Sequence, residues 1–114
     1  YPYPLNTLAI QCGILALEEP NKISSVFSLI KNERMKIIQN LRKTGAFEVF
    51  DSSANFVLFD AKGADSRVYN ALIEQGISIR KLGKLGRHKG CLRVTVGTPE
   101  MNSKFLLAIR DLLE

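Results

Sequence analysis

Two arginines offer the clearest chemistry in this sequence. Arg80 closes the stretch Ile77-Ser78-Ile79-Arg80, and Arg93 lies within Cys91-Leu92-Arg93-Val94-Thr95-Val96. Strand alternation puts Ile77 and Ile79 on one face and Ser78 and Arg80 on the other. By the same rule Leu92, Val94 and Val96 face a core, while Cys91, Arg93 and Thr95 point away. If these strands form a hairpin with Leu82 opposite Cys91, Arg80 falls opposite Arg93, with Cβ atoms about 5 Å apart. Two guanidinium groups so placed repel each other, and no acid adjoins them in sequence. Either acids from elsewhere in the fold or a bound anion must neutralise them. A pair of planar forks, each giving two parallel hydrogen bonds, suits a phosphate or a carboxylate. The plainer alternative is that both arginines sit on a solvated sheet face.

The charge distribution favours an anionic ligand. The 114 residues carry a net charge of +5. Arg80, Lys81, Lys84, Arg87, Lys89 and Arg93 all fall between Gln75 and Pro99, a stretch with no acid. Without them the remaining charges nearly balance, so the basicity is one local patch. A nucleic-acid surface would interleave aromatic residues with such a patch for base stacking, and this stretch has none. His88, the one histidine, has no carboxylate or cysteine beside it in sequence. It is expected on the surface, without an orienting partner for general-base work. Glycines 83, 86 and 90 do not form a phosphate loop, since no lysine-serine pair follows a strand. Cys12 and Cys91 have neither zinc-ligand nor redox spacing and read as reduced, buried thiols of a cytoplasmic protein. No catalytic residue and no metal site is expected.

The elements that must position the arginines follow from the apolar pattern. Residues 5–17 are apolar on nearly every side, so a helix there must be buried all round. From Lys22 to about Lys43, apolar residues recur at three- and four-residue steps, which predicts a helix on the order of 30 Å long. A domain of this size cannot enclose the first helix or the full length of the second, so both imply a further packing surface. The start at Tyr1-Pro2-Tyr3-Pro4, without an initiator methionine, points the same way.

Short strands are expected at 47–50, 55–59, 77–81 and 91–96, with a glycine-rich loop over 82–90. A helix carrying Val68, Tyr69, Leu72 and Ile73 on one face should stop at Gly76. Thr98-Pro99-Glu100 starts a last helix that buries Met101, Phe105, Ile109 and Leu112. The fold class is α+β: a small antiparallel or mixed sheet of about four strands, helices mainly on one face, two helices leading. No apolar run approaches the roughly 20 residues of a membrane span.

Three stretches resemble the histidinol-phosphate aminotransferases. Tyr3-Pro4-Leu5-Asn6 is similar to the segment downstream of that family's cofactor lysine. Ser53-Ala54-Asn55-Phe56-Val57-Leu58-Phe59 resembles the central strand of its small domain. Gly76 to Arg80, followed by Gly90-Cys91-Leu92-Arg93-Val94-Thr95-Val96-Gly97-Thr98-Pro99-Glu100, resembles its C-terminal signature.

The resemblance implies the C-terminal domain of the aspartate-aminotransferase-like fold. Residues 1–20 would pack on a missing N-terminal cofactor domain, and 21–114 would form the small domain with its long interdomain helix. It implies pyridoxal-phosphate chemistry in a full-length homodimer, moving the amino group of glutamate to imidazole-acetol phosphate. Arg93 then corresponds to the residue gripping the substrate's phosphate or carboxylate, and Arg80 to a second anion contact. The family's cofactor lysine and cofactor-phosphate residues precede this segment, so the chain alone is expected to bind no cofactor and to be inactive. Threonine-phosphate decarboxylases share these features. A freestanding anion- or nucleic-acid-binding module and a ligand-sensing regulatory domain are the readings outside this group, and both leave the leading helices unexplained.

Overall fold

In the computed structural model, residues 23–113 are described; the predicted first helix over 5–17 and the turn after it lie outside them. Helix α1 spans Ile23–Lys43. Its second half buries Ile37, Ile38 and Leu41, whereas Phe27 in the first half is 58% exposed. Strands β1 (Glu48–Val49) and β2 (Phe56–Asp60) follow, then helix α2 (Asp65–Glu74). Strands β3 (Arg80–Leu85) and β4 (His88–Thr95) form a hairpin, and helix α3 (Pro99–Leu113) ends the described chain.

The four strands form one antiparallel sheet in the order β1-β2-β4-β3. Val57 and Phe59 of β2 and Leu92 and Val94 of β4 pair directly and present one apolar face. All three helices cover that face, through Leu41, Leu72, Phe105 and Ile109 among others. Phe59 anchors the core, with the ring of Phe47 edge-on at 5.2 Å and that of Phe105 at 6.4 Å.

Helix ends follow their sequence signals. Gly76, at φ +77°, donates its N–H to Ile73, and Ile77 donates to Leu72. These two bonds satisfy otherwise orphaned carbonyls, and Ile77 and Leu72 both join the core. The Thr98 hydroxyl caps α3 by accepting the N–H of Met101 at 3.2 Å.

Two expectations need correction. The glycine-rich stretch 82–90 is a hairpin, not a loop: β3 runs to Leu85, and Leu85 pairs with His88 around a two-residue turn. Gly86 has φ +57° at the first central position, as a type II′ turn requires, and Gly83 at φ +72° lies in an irregularity of the β3 pairing. Loop-like composition was turn chemistry. The buried face of α3 also begins at Asn102, not at Met101, which is 54% exposed. Asn102 tolerates burial because its amide accepts the N–H of Gly97 at 2.8 Å and donates to the Gly97 carbonyl at 3.0 Å and to Glu33 at 3.1 Å.

Asn102→Leu should therefore cost about 2–3 kcal/mol, because it strands two buried backbone groups while keeping the volume. Urea denaturation monitored by circular dichroism measures this. A loss below about 0.5 kcal/mol would mean that water replaces the amide.

Candidate functional site

Residues directly opposite in an antiparallel sheet share a face. The face away from the helices accordingly carries Glu48 on β1, Phe56, Leu58 and Asp60 on β2, Cys91, Arg93 and Thr95 on β4, and Arg80 on β3. Arg80 pairs directly with Arg93. The residue opposite Cys91 is Gly83, where Leu82 was expected; the irregularity at Gly83 absorbs one residue without disturbing the arginines. Lys81 points to the helix side and donates to the Ser66 hydroxyl of α2 at 2.6 Å.

The Arg93 guanidinium lies over the ring of Phe56, 5.0 Å from its centroid, which fixes the plane of the fork. Its Nε is buried and has no hydrogen-bond partner among the described residues. Arg34 Nε shares that condition, but Arg34 is engaged structurally, donating through Nη1 to the Ala54 carbonyl at 3.0 Å and pinning the β1–β2 connection. Arg93 is different in kind, since its cation sits opposite a second cation on an open sheet face.

Cys91 shares this face and is fully buried, as expected of a structural thiol. Burial raises the pKa of its thiol, and the negative charges of Asp60, Asp65 and Glu48 raise it further. It is a packing residue in its thiol form, not a nucleophile.

His88 corrects a further expectation. It is not a partnerless surface residue: its Nδ1 lies 3.3 Å from both Glu48 Oε2 and Asp60 Oδ2. The edge of the Phe50 ring packs against the imidazole at 4.9 Å. Neither acid is near His88 in sequence. The strand order β1-β2-β4 brings all three together. Asp60, at the end of an apolar strand before Lys62-Gly63, reads in sequence as a turn residue, and it does accept the Lys62 N–H at 2.8 Å. The same oxygen accepts the Gly90 N–H at 3.0 Å. Gly90 reaches it because β4 lies against α2 there; a Cβ on Gly90 would meet Asp65 Oδ1 at 2.8 Å.

Burial pushes the Asp60 carboxyl up, but the two backbone N–H groups and His88 outweigh it, leaving the pKa below its ordinary value. A Schiff-base lysine is activated by desolvation or a neighbouring cation in a pocket, and every described lysine is exposed or half-buried.

The chain can now be set beside known proteins. No family model matches it. It is 35% identical over 112 residues to a histidinol-phosphate aminotransferase from Symbiobacterium thermophilum, an alignment covering 98% of this chain and 30% of that protein. The crystal structure of the histidinol-phosphate aminotransferase from Clostridium acetobutylicum superposes with a TM-score of 0.75 at 29% identity, covering 99% of this chain and 35% of that one. Over nearly its whole length this domain is similar to aminotransferases and shares their fold. It corresponds to the C-terminal part of these relatives and spans about a third of their length. The L-threonine-O-3-phosphate decarboxylase from Porphyromonas gingivalis shares the fold, with a TM-score of 0.69 at 23% identity over 96% of this chain and 34% of that one. Among the described residues no helix is long and apolar enough to cross a membrane.

Because the Asp60 pKa is lowered on folding, its contribution to stability is complete above its ordinary value of 3.8 and is lost as the pH falls below that. The urea midpoint should drop between about pH 5 and about pH 3, and the drop should be shallower in Asp60→Asn. Equal slopes in the two proteins would remove Asp60 as the source.

Proposed function

We propose that this domain is the substrate-gripping C-terminal part of a histidinol-phosphate aminotransferase. Arg93 binds the phosphate or carboxylate end of the substrate, and Arg80 makes a second contact to the same anion. The observation that carries this reading is the buried Nε of Arg93, without an acceptor among the described residues and directly opposite Arg80. An anionic oxygen supplies that acceptor and relieves the repulsion between the two forks. The similarity to histidinol-phosphate aminotransferases supports the substrate class.

The reaction moves the amino group of glutamate to imidazole-acetol phosphate, giving histidinol phosphate and 2-oxoglutarate. Pyridoxal phosphate, when bound to the intact enzyme, carries the amino group between the two half-reactions. Its lysine and phosphate contacts belong to a large N-terminal domain, and residues 1–20 pack against that domain. The intact enzyme is a cytoplasmic homodimer. This domain's own part is orientation: Phe56 holds the Arg93 fork in plane, and the β3–β4 register delivers Arg80 to the same anion.

In the intact enzyme Arg93→Lys should raise the KM for imidazole-acetol phosphate roughly 10- to 100-fold, because lysine keeps the charge but loses the bidentate fork. Steady-state kinetics with Arg80→Lys in parallel check this. Unchanged KM in both variants would overturn the assignment. Release of carbon dioxide from threonine phosphate, without amino transfer, would place the enzyme with the decarboxylases.

A further inference from the structure

We propose that Glu48, Asp60 and His88 form a binding site for a first-row divalent metal ion such as zinc, with the remaining coordination positions open to water. The site is independent of the arginine pair. His88 and Arg93 are five residues apart on β4, about 17 Å in an extended strand.

Geometry is the first argument. His88 Nδ1 lies 3.3 Å from each carboxylate oxygen, and all three ligand atoms fall within 4.8 Å of one another. Charge-assisted hydrogen bonds close to about 2.7–2.9 Å, and the single proton that Nδ1 can carry cannot point at two oxygens at once. Bonds of about 2.0–2.2 Å from a central cation place neighbouring ligand atoms roughly 3.0–3.5 Å apart, the separation His88 keeps from both acids.

Charge is the second argument. Asp60 is buried, and among the described residues neither it nor Glu48 is paired with a lysine or arginine. A divalent cation balances two carboxylates where one imidazole cannot.

The third argument is orientation from outside the ligand set. Asp60 Oδ1 is held by the N–H groups of Lys62 and Gly90, which leaves Oδ2 directed at His88. The Phe50 edge fixes the imidazole ring. Such supports tune and orient ligands in known metal sites. The donor set of one nitrogen and two oxygens suits zinc, cobalt or nickel better than the all-oxygen preference of magnesium or calcium. Glu48, half exposed on the edge strand, leaves the ion a path from solvent. A bound ion would cross-link β1, β2 and the base of the β3–β4 hairpin.

The test uses the whole chain, free of purification tags and stripped of metal by chelator. Co²⁺ titration should give a visible absorption band saturating at one equivalent, and Zn²⁺ should raise the Tm of the same protein. Glu48→Gln and His88→Gln should each weaken Co²⁺ binding at least about tenfold and remove the Zn²⁺ effect on Tm. Both positions are partly exposed, so far-ultraviolet circular dichroism of the two variants should match the parent. A titration without a band up to about 1 mM Co²⁺, or a band that persists unchanged in both variants, would overturn the site.

Discussion

β4 is paired on both sides, with β2 along one edge and β3 along the other, and its register decides what meets on each face of the sheet. The side-chain period of a strand is two, so a slip of one residue would carry Leu92 and Val94 out of the core and bring Arg93 into it. The core pins this register strongly. Val57, Phe59, Leu92 and Val94 interlock beneath the three described helices in this register. The arginine pair on the far face is thus fixed by apolar packing on the near one. Two cations are held side by side because the hydrophobic effect specifies the pairing, and their repulsion is too small to reverse it.

That repulsion is moderated locally. Phe56 offers its ring face to Arg93, an interaction that favours the cation and leaves the rest of the fork available. The hairpin supplies the second arginine at low strain. Gly83 takes up the irregular residue and Gly86 the turn, both at positive φ, so β3 returns with Arg80 in register after a connection far shorter than its composition suggests.

Much of this was legible in the sequence, for identifiable reasons. The Gly76 stop, the Thr98 cap and the alternation of Leu92, Val94 and Val96 are local signals whose physical causes lie within a few residues. The Arg80–Arg93 pairing was legible because a hairpin is the simplest link between neighbouring strands. What escaped depended on contacts across the sheet or on backbone accounting. His88 read as a partnerless surface residue because Glu48 and Asp60 reach it only through the strand order. Asn102 yielded its place to Met101 in the apolar pattern because nothing in the side chain itself announces that Gly97 will satisfy it.

The open face is divided electrostatically along β4. One end carries Glu48 and Asp60 around His88; the other carries Arg80 and Arg93. On the proposed reading, an approaching phosphate is repelled at the first end and attracted at the second. Among the described residues the face does not enclose one. A groove of about 450 Å³ lies on the helix side, between α1 and α3, lined by Lys36, Lys43, Ser103 and Arg110, away from the arginine pair. A flat sheet can orient a guanidinium fork but cannot exclude water from it, and a salt bridge to substrate is weak while water competes. If the arginines bind substrate as proposed, a second surface laid over the sheet would supply the concavity. The division of labour is then physical: the sheet fixes where the anion's charge is met, and the covering surface makes that meeting strong.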